Sequence, residues 1–145
     1  MEDSKIETPR WFWVVGALFL IWNLIGCSGY LAEHMMSDAA YGKAFGPEKL
    51  AIRHVTPVWA TAGYAVGVWS GLIGVILLLR RKALCLRFFF ASFLGALVGF
   101  LPVFIDSRVS STMGPFDYGM MVFVWVMCFL FIHFAKRMRR RGILL

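Results

Sequence analysis

Charge is what this sequence keeps out of its long apolar runs. No Asp, Glu, Lys or Arg lies between Trp11 and Tyr30, and none between Val58 and Leu79. Leu84 to Ile105 carries only Arg87, about one turn inside its start, where the side chain can reach back to the interface. Tyr118 to Phe134 carries none, with His133 near its end. No carboxylate therefore falls mid-membrane, which weighs against a proton-coupled pump. Cysteine is sparse too: Cys27, Cys85 and Cys128 form no Cys-x-x-Cys pair and read as small apolar fillers. There is no His-x-x-x-His or Glu-x-x-His spacing, no nucleophile–base motif and no phosphate loop. No cofactor, metal centre or enzyme chemistry is expected on that basis.

What remains is mostly apolar. Of 145 residues 60% are hydrophobic before the 14 glycines are counted, and a soluble domain of this length cannot hide so much. A bilayer core needs about 20 apolar residues as helix, and each run can satisfy its own backbone polar groups only in that form. The expected fold is all-α: an integral membrane four-helix bundle forming a single domain, with spans at 11–31, 58–79, 84–105 and 118–135 and a basic tail over 136–145. Val58, Val66, Val68, Leu72, Ile73 and Val75 to Leu79 in the second span each favour insertion by roughly 0.3–0.6 kcal/mol.

The net charge of +7 raises nucleic-acid binding, but the placement of the charges argues against it. Lys5, Arg10, Arg80, Arg81, Lys82, Arg87, Lys136, Arg137, Arg139, Arg140 and Arg141 fall on one side; Lys43, Lys49, Arg53 and Arg108 fall on the other. By the positive-inside rule the first side is cytoplasmic, giving a multi-pass protein with both termini inside. The same charges suit contact with anionic lipids. The loop Arg80-Arg81-Lys82 is short enough to make spans two and three a tight hairpin. In the outer loop, Phe45-Gly46-Pro47-Glu48 reads as a turn into a short helix through Leu50 and Ile52. Glu33, His34, His54, Asp106 and Asp117 gather at the outer helix ends, where a solvated rim is favoured over a metal site.

Two local patterns have competing readings. Leu24-Ile25-Gly26-Cys27 resembles a lipoprotein cleavage box, but Glu2, Asp3 and Glu7 offset the basic head that a signal peptide needs, and the apolar run continues to Leu31. Thr8-Pro9-Arg10-Trp11 and Thr56-Pro57-Val58-Trp59 look like an inverted repeat, yet Thr-Pro helix starts and interfacial Trp explain them without one.

Packing signals are stronger. Gly63, Gly67 and Gly71 lie four apart on the second span, and Ala91, Gly95 and Gly99 do the same on the third. Such stripes let backbones approach closely in lipid, either within one hairpin or between copies of the chain. Asn23 falls near the middle of the first span, where an amide needs a partner; Ser70 and Ser92 are the candidates. An interhelical hydrogen bond is the favoured reading. The alternative is a small polar ligand site lined by Trp22, Asn23, Trp69 and Ser70.

Trp11-Phe12-Trp13, Trp22-Asn23-Leu24-Ile25-Gly26, Thr56-Pro57-x-Trp59, a glycine-rich second span ending Leu78-Leu79-Arg80-Arg81 and an Arg-rich stretch before Gly142 together resemble a group of small uncharacterised bacterial inner-membrane proteins of about this length. Some of its members carry the label sugar transporter. The resemblance implies a bacterial inner membrane and no catalytic residue; Cys27 stands where the group has a plain apolar residue. The functional expectation is an accessory or assembly subunit whose partner is a second copy or another membrane protein. Small-solute transport by an oligomer is the alternative.

Overall fold

Proline, glycine and short polar residues set where the helices begin and end. The computed structural model describes residues 7–145; Glu2, Asp3 and Lys5 lie outside them. The described residues form α1 (Arg10–Met35), α2 (Asp38–Phe45), α3 (Pro47–Val55), α4 (Val58–Leu79), α5 (Cys85–Phe100), α6 (Pro102–Ile105), α7 (Ser107–Thr112) and α8 (Pro115–Arg140). Pro9 and Pro57 cap α1 and α4 in extended backbone, and their carbonyls accept from Phe12 and Ala60. Ser37 caps α2 through its side chain, Asp106 caps α7, and Gly46 at φ 94° turns the chain into Pro47 at the start of α3.

Four helical stretches are long and apolar enough to cross a membrane: Arg10–Met35, Val58–Leu79, Cys85–Ile105 and Pro115–Arg140. The chain is an all-α, multi-pass membrane protein. α1 shows what the solvent is. Phe12, Gly16, Phe19, Asn23 and Cys27 form its buried stripe at helical spacing, while Val14, Leu18, Ile21 and Ile25 on the opposite face are 55–61% exposed. A helix apolar all round belongs in hydrocarbon.

α4 and α5 form the central hairpin, flanked by α1 on α4 and α8 on α5. The main core lies toward the Arg-rich end: Phe12, Val75, Leu78, Phe89, Ala135 and Met138 are each at most 1% exposed. Aromatic pairs join α1 to α8, with Phe19 4.1 Å from Phe131 and Trp11 5.8 Å from Phe134.

Three boundaries differ from the sequence reading. The helix of the last span does not end at 135; α8 runs on to Arg140, so Lys136 to Arg140 project from a helix. The reason is that Lys and Arg are good helix formers and favour the negative end of the dipole. The remaining residues fold back: Ile143 and Leu144 are buried, and Leu145 pairs with the α4–α5 loop (Ala83 N to Leu145 O, 2.7 Å; Leu145 N to Arg81 O, 2.8 Å). Finally, the connection between α1 and α4 holds two helices, α2 and α3, rather than one, and the Asp106–Asp117 connection contains α7.

Candidate functional site

The buried polar groups sit along the α1–α4–α5 seam. Only Asn23 and Ser92 are buried polar side chains among the described residues, at 6% and 7% exposure. Asn23 donates to the Phe19 carbonyl of its own helix (2.8 Å), and Ser92 donates across to the Gly67 carbonyl of α4 (2.6 Å). Asn23 therefore does not bond Ser70. Its side-chain oxygen sits where a Cβ on Gly71 would be, with the Ser92 hydroxyl 3.1 Å from the same point. Gly71 thus makes the room that brings Asn23 and Ser92 to one place.

The glycines of α4 and α5 face each other. A Cβ on Gly95 would stand 2.5 Å from the Gly67 amide nitrogen and 2.8 Å from the Gly63 carbonyl oxygen; one on Gly63 would stand 2.8 Å from the Gly99 nitrogen. These are backbone neighbours, so no side-chain rotation relieves them. On α5 the residue opposite Gly67 and Gly71 is Ser92; Ala91 is half-buried beside it.

The other residues singled out with Asn23 are dispersed. Trp22 packs on Phe123 of α8 (5.0 Å), and Trp69, 39% exposed, stands 6.3 Å from Tyr30. Ser70 is half-buried. Two further ties across the seam carried no sequence signal: Tyr64 donates to the Gly26 carbonyl (3.3 Å), and Cys27 lies 3.6 Å from the Val68 carbonyl.

At the end of the bundle away from the Arg-rich one, charges are spent in straps between helices. Arg53 of α3 donates twice to the Met36 carbonyl past the end of α1 (3.2 and 3.1 Å), lies 3.6 Å from Asp38 and stacks 5.1 Å over Tyr41. Asp38 also meets His54 (3.1 Å). Lys49 pairs with Asp117 at the start of α8. Arg108 donates to Asp106, and that bond holds the Asp106 carboxyl below its usual range. Burial pushes the Tyr41 hydroxyl up. Among the described residues no three His, Cys, Asp or Glu side chains converge as a metal set.

The opposite end is basic. Arg80, Arg81, Lys82, Arg137 and Arg141 ring it with Lys136, Arg139 and Arg140. Arg81, at φ 58°, donates to the Ile143 carbonyl (3.0 Å), and Arg141 stacks 5.7 Å over Trp11. An apolar notch of about 270 Å³ opens between α1 and α8, walled by Trp11, Val15, His133 and Arg137 among others. Compared with protein families, curated proteins and solved structures, the chain finds no match in any of the three.

Proposed function

We propose that this protein is an accessory or assembly subunit of a bacterial inner membrane, with both termini on the cytoplasmic side, that acts by docking to another membrane protein or a second copy. The observation that carries the reading is the state of the interior. Asn23 and Ser92 both donate to helix carbonyls within the seam, and glycine backbones meet along the α4–α5 contact. That packed seam leaves a polar solute little beyond the second Asn23 amide hydrogen and its side-chain oxygen to meet, whereas the helices' outer faces are broad and apolar. The glycine stripes are occupied by each other, so recognition falls to the exposed helix faces and the basic end. Orientation rests on the Lys and Arg distribution, and the inner-membrane location on the sequence resemblance described above.

Gentle solubilisation of tagged protein from its native membrane, followed by mass spectrometry, tests this. A stoichiometric protein partner or a homodimer, released by combined Val14→Ala, Leu18→Ala, Ile21→Ala and Ile25→Ala replacement, is the expected outcome. A lone monomer that moves solute in liposomes, with flux lost in Asn23→Leu, would replace this reading with transport.

A further inference from the structure

Between α5 and α8, at the Arg-rich end, lies an open cleft of about 560 Å³ lined by Leu86, Arg87, Phe90, Lys136, Arg139 and Arg140. Its floor is apolar and its rim carries four cations. Lys136, Arg139 and Arg140 stand at i, i+3 and i+4 on α8, hence on one face, and Arg87 approaches from α5. All four are exposed, and among the described residues no carboxylate lies in ion-pair range of any of them. Glu33, Asp38, Glu48, Asp106 and Asp117 are at the other end of the bundle, and Glu7, just before α1 at the Arg-rich end, makes no ion pair with the four.

The end of the α8 dipole favours its cations, but their mutual repulsion and the place of Arg87 oppose the arrangement. Like charges at i and i+4 repel, and Arg87 adds a cation to the first turn of α5, the end of a helix dipole that favours anions. Arg137 and Arg141 turn elsewhere, toward the α1–α8 notch and the Trp11 ring. The Lys136 ammonium already lies 5.2 Å over the Phe90 ring, holding its stem against the apolar floor. Deeper along the same two helices Phe93 of α5 packs 5.0 Å from the exposed Phe129 of α8, an apolar surface below the cleft.

We propose that this cleft is a binding site for an anionic lipid bearing two phosphates, its headgroup held by Arg87, Lys136, Arg139 and Arg140 and its acyl chains lying along Phe90, Phe93 and Phe129. Guanidinium forks suit phosphate oxygens in pairs, two phosphates match four cations better than one, and a lipid also covers the apolar surface beneath the cations. The site shares the basic end with the protein-docking reading, but its lipid readout needs no protein partner.

The test uses the full chain in mild detergent, with native mass spectrometry and a lipid titration. The probes are diphosphatidylglycerol, phosphatidylglycerol, phosphatidylcholine and inorganic phosphate. One diphosphatidylglycerol should be retained at least about tenfold more tightly than phosphatidylglycerol, with phosphatidylcholine and inorganic phosphate failing to displace it. Arg87→Gln/Arg139→Gln/Arg140→Gln should lose about tenfold or more of that affinity. A control with equal charge loss, Arg80→Gln/Lys82→Gln/Arg137→Gln, should lose under about threefold. These side chains are exposed, so the fold persists; the single Arg87→Gln change gives a smaller loss in the same direction. Equal losses in both triple variants, equal affinity for the one-phosphate lipid, or displacement by inorganic phosphate would each overturn the site.

Discussion

Gly95 and Gly16 show how one residue type carries different weight at two positions. A methyl on Gly95 meets the Gly67 and Gly63 backbone, whereas one on Gly16 meets the tip of the flexible Leu79 side chain. Gly95→Val should therefore destabilise the protein by about 3 kcal/mol, while Gly16→Ala costs about 1 kcal/mol or less. Gly119, with nothing within 4 Å, should accept Ala with a change inside about 0.5 kcal/mol. Denaturant titration in a fixed micelle ranks the three; a Gly95 variant as stable as Gly119→Ala would remove the seam from the account. Ser92→Ala deletes the 2.6 Å bond to the Gly67 carbonyl and should cost about 1 kcal/mol in the same titration. The four-residue glycine spacing is visible in the sequence. Which polar residue faces it is not, because Ser70 and Ser92 differ in burial only through helix rotation. Asn23 also has an acceptor four residues back in its own helix, an option that depth alone does not reveal.

At the scale of elements, the helix ends hold the surprises. α4 and α8 both finish in the same motif, a left-handed residue followed by a 6→1 bond: Lys82 N to Leu77 O after Arg81, and Ile143 N to Met138 O after Gly142. The two turns then bind each other through Ile143, Leu145 and Arg81. Gly142, at φ 70°, is the residue this geometry favours, so Gly142→Ala should cost about 1 kcal/mol. Ile143→Ala, which empties a site 2% exposed, should cost about 2 kcal/mol. Both would loosen the Ala83 and Leu145 amides, read by hydrogen exchange; unchanged protection in both would show that the fold-back is not held as described. Gly142 is the residue type that stops a helix, but the sequence reading places it inside a tail over 136–145. The docking of Ile143 to Leu145 was not legible, since it depends on a loop 62 residues earlier in the chain.

The connections between α1 and α4 and between α5 and α8 divide in the same way. Pro47 at the start of α3 was readable, and Ser37 is a good cap, but α2 itself is weakly patterned and has no buried residue. Asp106 caps α7 and is bonded by Arg108, so its carboxyl titrates below the ordinary range. A depressed carboxylate contributes fully above its unfolded value of about 4 and loses that contribution as the pH falls through the lower folded value. α7 should therefore fray in acid while the spans persist. Carboxyl-detected NMR titration checks this: an Asp106 midpoint at or above the ordinary value would contradict it.

For the whole molecule, the run lengths, the short Arg80–Lys82 loop and the exclusion of charge made four spans legible from sequence alone, because hydrocarbon imposes that pattern on any chain it dissolves. The order of contacts, with α4–α5 at the centre and α1 and α8 flanking, came from glycine and aromatic complementarity that no single run displays. The central claim is that α1, α4, α5 and α8 turn their outer faces to lipid and leave the α2–α3 cover and the Arg-rich end on opposite sides. Thiol accessibility in sealed vesicles tests it most directly, using single replacements Leu18→Cys, Ile73→Cys, Leu94→Cys, Phe129→Cys, Lys43→Cys and Arg140→Cys in a chain whose own three cysteines are replaced by alanine. The first four should resist a membrane-impermeant reagent although each site is 43–60% exposed on the protein surface, and Lys43→Cys and Arg140→Cys should react from opposite faces. Rapid labelling of the four span positions, or labelling of Lys43→Cys and Arg140→Cys from the same face, would contradict the account.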